Sequence, residues 1–229
     1  MNVQSLAFLA FLTVTVCACR LLGRKAQVRA LLAASLVFYL WNGAAGVWWS
    51  CGLLAASSAV SLLAGNSLRR QRRRGVFLAA VCYHVAVLGI FKYTGFLTGG
   101  AVQTPFVPLG ISFFTFQQLW YLKECRTGET TPVRSLPDYL LYSFFFPSLT
   151  SGPILEPGGF FPQLSGERFL RPDDRDSAAG LYALGCGLCK KMLLADPLGV
   201  VVANGWGNIE NLSAPAAWAV ILGYTLQLY

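Results

Sequence analysis

Charge is what this chain has least of. Asp, Glu, Lys and Arg make up 12% of its 229 residues, where a soluble domain carries roughly 25%. With 55% hydrophobic residues, that composition excludes an ordinary soluble domain and indicates a polytopic membrane protein. Acidic residues number 10 against 18 basic ones, and none is centred in an apolar run. Together with the lack of an internal repeat, this argues against a transporter, whose ion and substrate sites draw on such groups. The net charge of +8 does not point to nucleic acid, because the basic residues sit in short clusters between apolar runs, the arrangement that orients a chain in a bilayer. No basic stretch precedes the first apolar segment, which favours a transmembrane helix over a secretory signal peptide and argues against a lipoprotein cleavage at Cys17 or Cys19. The cysteines are scattered through apolar segments and imply no disulfide framework. Cys186 and Cys189 form a C-x-x-C without the βαβ surroundings of a redox motif, and no spacing of ligand residues suggests a metal.

What is present is a succession of uncharged runs. Met1 to Cys19, followed by Arg20, Arg24, Lys25 and Arg29, reads as a first transmembrane helix with its N-terminus outside. Ala30 to Leu68 holds 39 residues without a charge, more than the roughly 20 that one span needs. It reads as two passes broken near Asn42-Gly43 and Gly46, with Trp41, Trp48 and Trp49 at headgroup level. The basic cluster from Arg69 to Arg74 then returns to the same inner side as residues 20–29. Gly75 to Leu97 forms the next span, with Lys92 snorkelling near its outer end. His84, the single histidine, reads as a bundle residue satisfied by one hydrogen bond rather than as a general base.

After the turn at Gly99-Gly100, Pro105 to Leu122 returns inward, where Lys123, Arg126 and Arg134 follow. Helical spacing places Ser112, Thr115 and Gln118 on one polar stripe, open to two readings: hydrogen bonds between helices, or the wall of a polar or acyl-donor channel. Tyr139 to Leu155 is uncharged but interrupted by Pro147 and Gly152-Pro153, which predicts a bent or re-entrant segment. Such backbone is tolerated at membrane depth only where protein or a wet cavity satisfies it. Glu156 to Asp176 reads as a cytoplasmic loop. In it, Asp173 and Asp174 beside Arg171 and Arg175 mark a solvated helix start rather than a metal or acid-base pair. Ser177 to Asp196 reads as an interfacial or tilted helix, because Lys190 and Lys191 lie adjacent within it. A last apolar run begins at Ala214.

The blocks PLGISFFTFQ (Pro108 to Gln117), YLKECRTGE (Tyr121 to Glu129) and PDYLLYSFFFPSLTSGPILEPGGFFPQL (Pro137 to Leu164) resemble the membrane-bound O-acyltransferase family. FKY (Phe91 to Tyr93), KKMLLAD (Lys190 to Asp196) and YTLQLY (Tyr224 to Tyr229) extend the likeness in order and spacing. The nearest branch is the one that O-acetylates alginate, with teichoic-acid D-alanine transferases as cousins. The resemblance implies an all-α polytopic transmembrane bundle with re-entrant or broken segments, of which residues 1–229 form the N-terminal part, incomplete at the C-terminus.

The resemblance further implies transfer of an acyl group, acetyl by preference, from a cytoplasmic thioester to extracytoplasmic polysaccharide hydroxyls. The donor would be coenzyme A or a carrier protein's phosphopantetheine, used as substrate, with no tightly bound cofactor. The partners it implies are the bilayer, the donor and an exported acetyltransferase acting on polysaccharide, in a bacterial inner membrane. The family's catalytic histidine falls beyond Tyr229, so no catalytic residue is assigned here and residues 1–229 alone are expected to be inactive. Candidate tunnel-lining residues are Ser112, Thr115, Gln118, Ser151, Gly152 and Pro153, and Lys190 and Lys191 are candidates for attracting donor phosphates. An incomplete bundle is expected to leave the Ser112 to Gln118 stripe without partners from the missing half. The competing reading is a non-catalytic membrane scaffold or a transporter-like remnant.

Overall fold

Uncharged runs cannot leave backbone N–H and C=O groups unpaired away from water, and helices satisfy them locally. The computed structural model describes residues 5–43, 46–70, 73–102, 104–131, 133, 135–149, 152–166 and 173–228, and every regular element among them is helical. Two compact units result, Met1–Arg171 and Pro172–Tyr229.

The first unit holds α1 (Leu6–Leu21), α2 (Arg24–Asn42), α3 (Val47–Arg70), α4 (Arg74–Leu88), a π-helical turn (Gly89–Tyr93), α5 (Thr94–Leu97), α6 (Ile111–Thr127), α7 (Leu136–Phe144), the single turn α8 (Phe146–Leu149) and α9 (Pro157–Ser165). Helix α3 packs on α4 and α6, α4 also packs on α6, and α2 lies against α1 and α7. The largest buried cluster is aromatic, with Tyr121, Tyr139, Tyr142 and Phe161 closing over Leu62, Leu68 and Leu122. The Tyr121 and Tyr139 rings meet edge-on at 4.8 Å between centroids. A second cluster joins Tyr39, Leu54, Phe114, Phe144 and Leu149, and a third joins Phe8, Phe38 and Phe146.

The second unit holds α10 (Asp174–Cys189), a π-helical stretch (Lys190–Ala195), α11 (Asp196–Gly207), a 3₁₀ turn (Ile209–Asn211) and α12 (Ala214–Leu228). Helices α11 and α12 are antiparallel: Gly199 faces Gln227, Val202 faces Gly223, and Gly205 faces Val220. The glycines allow the backbones to approach, as small residues do between membrane helices.

The break expected near Asn42-Gly43 and Gly46 separates α2 from α3, and the Pro and Gly of 139–155 do interrupt the chain, between α7 and α8 and again after Leu149. Two stretches, Val47–Arg69 and Arg74–Leu97, are long and apolar enough to cross a membrane; Leu6–Leu21 and Ala214–Leu228 are apolar but shorter. The loop reading of Glu156 to Asp176 is corrected, because residues 157–165 form α9. Pro157 stands in its first turn, where a missing N–H costs nothing, and Pro157, Phe161 and Leu164 share a buried stripe. The helix expected to end at Asp196 instead continues to Gly207. A π-helical stretch immediately precedes Pro197, accommodating a residue that cannot donate to the preceding turn.

Helix α6 begins on Gly110 at φ +72°, and a Cβ there would meet the carbonyl oxygen of Leu149. Gly110→Ala therefore combines a left-handed penalty of about 1–2 kcal/mol with a clash against backbone. It is expected to lower unfolding free energy in detergent by about 2 kcal/mol or more. Gly89→Ala, with open space about its helical backbone, should change it by less than about 1 kcal/mol.

Candidate functional site

The polar side chains of α6 meet α7 along one seam. Gln118 is fully buried; it accepts from the Tyr139 hydroxyl and donates through Nε2 to Ser143 Oγ at 3.0 Å. Ser143 Oγ in turn donates to the Tyr139 carbonyl at 3.0 Å. One residue earlier, Gln117 Nε2 donates to the Tyr142 carbonyl at 2.6 Å, and the Tyr142 hydroxyl reaches the carbonyls of Gln117 and Leu155, each at 3.1 Å. Beyond α7, Phe146 N donates to Ser35 Oγ on α2 at 3.2 Å. Side chains of α2 and α7 thus satisfy Phe146 N and the Leu155 carbonyl between α7 and α9, and Gln117 of α6 satisfies the Tyr142 carbonyl in the last turns of α7.

Among the described residues of this unit, Glu124 is the buried acidic side chain, 3% exposed. Its Oε1 accepts from Trp120 Nε1 at 2.5 Å, and its Oε2 accepts from Thr130 Oγ1 at 2.5 Å and from Gly158 N at 3.1 Å. Three donors replace the water that a carboxylate loses on burial, and Gly158 lies at the N-terminus of α9, where the helix dipole favours an anion. The carboxylate therefore ties α6, the turn after it and α9 together. Outside this knot, Lys123 Nζ pairs with Glu129 at 2.7 Å, and its ammonium holds the Glu129 carboxyl below its ordinary range. That pairing is present at neutral pH and is lost as pH falls through the lowered pKa.

Three cavities flank these elements. One of about 510 Å³ lies between the turn after α6 and α9, lined by Glu129, Thr130, Asp138, Gly158 and Ser165 among others. The second, about 440 Å³, is bounded by Arg24, Lys25 and Arg29 of α2 and by Ser135, Pro137 and Asp138 at the start of α7. The third, about 290 Å³, is an apolar groove lined by Leu32, Leu36, Cys51, Gly52, Ala55, Leu140 and Phe144. Among the described residues no three His, Cys, Asp or Glu side chains gather to hold a metal.

None of these three cavities is lined by Ser112, Thr115, Gln118, Gly152 or Pro153, and Ser151 lies outside the described residues. Gln118 belongs to the hydrogen-bonded seam, Thr115 is buried beside it, and Ser112 Oγ accepts from Lys92 Nζ at 2.8 Å. Within residues 1–229, the π-helical turn after α4 partners Ser112 and α7 partners Gln118. His84 is buried, its Nε2 sharing a 2.6 Å hydrogen bond with Ser61 Oγ of α3, which is the structural role read for it. Lys191 pairs with Asp196 at 2.5 Å, so a donor phosphate at Lys190 and Lys191 would compete with that carboxylate.

Sequence reasoning passed over Glu124 and the α2 cations. Helical spacing aligns Gln117, Tyr121 and Glu124 at i, i+4 and i+7 on one face, a usable signal for a buried acid. Arg24, Lys25 and Arg29 were legible only as orientation signals, since their convergence with Asp138 is tertiary. Lys92 and Lys190-Lys191 both fall on π-helical turns, a geometry frequent at functional sites and without a sequence signal here.

Regular elements that are all helical among the described residues, two of them long and apolar enough to cross a membrane, and a hydrogen-bonded polar seam define the structural class. No family model and no solved structure matches it. Among curated proteins it is 28% identical to "Probable alginate O-acetylase AlgI" of Pseudomonas putida, over 90% of this chain and 45% of that protein. It is 29% identical to "Peptidoglycan O-acetyltransferase" of Helicobacter pylori, over 87% of this chain and 44% of that one. The AlgI protein of Azotobacter vinelandii is 30% identical over 87% and 42% respectively. Along most of its length the chain is thus similar to proteins named as alginate and peptidoglycan O-acetyltransferases, and it spans less than half the length of the curated relatives it matches.

Glu124→Ala leaves the Trp120, Thr130 and Gly158 donors without their acceptor and is expected to cost about 3 kcal/mol. Glu124→Gln keeps one carbonyl oxygen and should cost about half as much. Thermal unfolding and limited proteolysis of the 128–133 turn read both; a wild-type profile for Glu124→Ala would show that the carboxylate does not hold α9.

Proposed function

We propose that the chain is the N-terminal part of a polytopic membrane-bound O-acyltransferase. The whole protein takes an acetyl group from a cytoplasmic thioester, coenzyme A or a carrier protein's phosphopantetheine. It delivers the group toward hydroxyls of an extracytoplasmic polysaccharide, with an exported acetyltransferase as partner. The observation that carries this reading is the match along nine-tenths of the chain to named alginate and peptidoglycan O-acetyltransferases.

The topology follows from charge. Arg20 lies in the last turn of α1 and Arg24 to Arg29 open α2, while Arg69 and Arg70 end α3 and Arg74 opens α4. With both clusters on the cytoplasmic side of a bacterial inner membrane, α2 and α3 cross outward and back, and Trp41, Trp48 and Trp49, all exposed, stand at the outer headgroups. The α6/α7 seam is a packed wall rather than a tunnel, and the broken segment through Gly152 and Pro153 lies beside it. In this reading the residues supply the wall and the cytoplasmic mouth, and the catalytic histidine belongs to the C-terminal part.

A chimera tests the reading. Residues 1–229 are joined to the C-terminal part of the Pseudomonas aeruginosa relative, which is 29% identical to this chain, in a strain lacking its own copy, and alginate acetyl esters are measured. Membrane-integrated chimera is expected to restore esters, whereas residues 1–229 alone give none and show no thioester-dependent transfer when purified. Acyl transfer by residues 1–229 alone would overturn the division of labour, and a correctly integrated but silent chimera would count against the acyltransferase reading.

A further inference from the structure

The cations at the start of α2 have a surrounding that orientation alone does not require. Arg24, Lys25 and Arg29 line one side of a cleft, and Ser135, Pro137 and Asp138, at the start of α7, line the other. The ion pairs among the described residues are Lys123–Glu129 and Lys191–Asp196, so no carboxylate among the described residues lies within pairing distance of these three cations. Arg24 Nη2 touches only a neutral partner, Ser165 Oγ, at 3.3 Å. The cleft's formal balance is three cations against the one carboxylate of Asp138.

Backbone adds to this charge. The α2 residues of the cleft face the start of α7, and further along Leu32 and Leu36 of α2 share a groove with Leu140 and Phe144 of α7. The two helices therefore run parallel and bring their positive N-terminal ends to the same place. α2 lacks an acidic residue in its first turn, and Gly23 gives it no side-chain cap.

The apolar groove continues from this end. Its α2 residues, Leu32 and Leu36, are centred seven to eight residues beyond the cleft's cations, roughly 11 Å at about 1.5 Å per residue. Its third wall is small: Gly52 and Ala55 of α3 are exposed, and a Cβ added at Gly52 would meet nothing within 4 Å. A half-bilayer of hydrocarbon is about 15 Å deep, so a cleft at headgroup level places the groove among acyl chains.

We propose that the α2/α7 seam binds one anionic phospholipid, its phosphodiester held by Arg24, Lys25 and Arg29 and one acyl chain lying in the groove over Gly52 and Ala55. Basic pockets between helices on the cytoplasmic side suit such headgroups. A zwitterionic lipid would set its own ammonium against three cations. A polyol headgroup such as glycerol can instead donate hydroxyls to Asp138 and Ser135 while its phosphate faces the cations. The assignment rests on the membrane-embedded reading proposed above.

The chain, purified in neutral detergent, is titrated with dioleoylphosphatidylglycerol and, separately, dioleoylphosphatidylcholine, and bound lipid is counted by native mass spectrometry. The anionic lipid should bind at least tenfold more tightly. The triple variant Arg24→Gln/Lys25→Gln/Arg29→Gln should lose that preference, while Arg69→Gln/Arg73→Gln/Arg74→Gln, which removes the same charge elsewhere, should keep it. Gly52→Leu should weaken the dioleoyl lipid at least threefold and leave the dihexanoyl analogue unchanged. On the wild-type protein, a phosphatidylglycerol with a photoreactive tail should crosslink within residues 32–55 or 140–144, a readout independent of whether any variant folds.

Equal loss in both triple variants, or crosslinks elsewhere, would overturn the site. Displacement of the lipid by equimolar glycerol 3-phosphate, inorganic phosphate or coenzyme A would make it a site for soluble phosphates and overturn the lipid assignment. Extraction of the chain from membranes by alkaline carbonate would sink the membrane reading itself. Retention in the membrane without any anionic preference would sink only the lipid site.

Discussion

A carboxylate taken out of water must be given donors in exchange, and Glu124 receives them from three places in the chain: Trp120 one turn back on α6, Thr130 in the turn that follows, and the backbone of Gly158 at the start of α9. Truncating a partner of such a group leaves an uncompensated charge, which is why a buried carboxylate constrains its surroundings more than it stabilises them. Here the constraint is directional. The turn after α6 is pulled back onto the helix, and Gly128 at φ +86° makes that reversal. With the N-terminus of α9 fixed, Phe161 is held against Tyr121 and Tyr142, and Phe160 against Tyr142 and Phe145.

The α6/α7 seam solves a second problem, the broken backbone around Phe145 to Pro153. Irregular backbone buried away from water needs hydrogen-bond partners, and among the described residues neighbouring side chains supply three of them. Ser35 of α2 accepts from Phe146 N, Gln117 of α6 donates to the carbonyl of Tyr142, and the Tyr142 hydroxyl reaches the carbonyl of Leu155. Individual hydrogen bonds between membrane helices contribute little, roughly 0.6 kcal/mol on average. The value of the set lies in permitting a conformation whose unpaired groups would otherwise cost several kcal/mol each. The polar stripe on α6 and the Pro and Gly of the following segment are therefore parts of one device.

Local signals in the sequence carried the elements that local chemistry decides. The 39 uncharged residues from Ala30 could not be a single span, and Gly43 and Gly46 mark the break. Pro147 and Gly152-Pro153 announced a bent segment, and α7 and α8 show it. The helix α9 escaped because Pro157-Gly158-Gly159 carries loop composition; the acceptor for Gly158 N at its start is Glu124, 34 positions away in sequence. The π-helical turns at Lys92 and Lys190 have no composition of their own. The role of Gln118 was legible as a stripe but not as a choice between channel and seam, because the choice depends on whether Tyr139 and Ser143 stand opposite it.

The parallel arrangement of α2 and α7 carries the least obvious cost. Antiparallel neighbours cancel their dipoles, whereas this pair adds them, and the sequence sharpens the conflict by placing Arg24 and Lys25 where an acid would be favoured. Asp138 in the first turn of α7 and the Ser135 cap relieve one of the two helix ends. The other, α2, has neither an acidic residue in its first turn nor a side-chain cap. Orientation by positive charge would be served equally well by cations on the loop before the helix, where no dipole opposes them. Their position inside the first turns, facing the start of a second helix, is what a bound anion would reward and what bilayer orientation by itself does not explain.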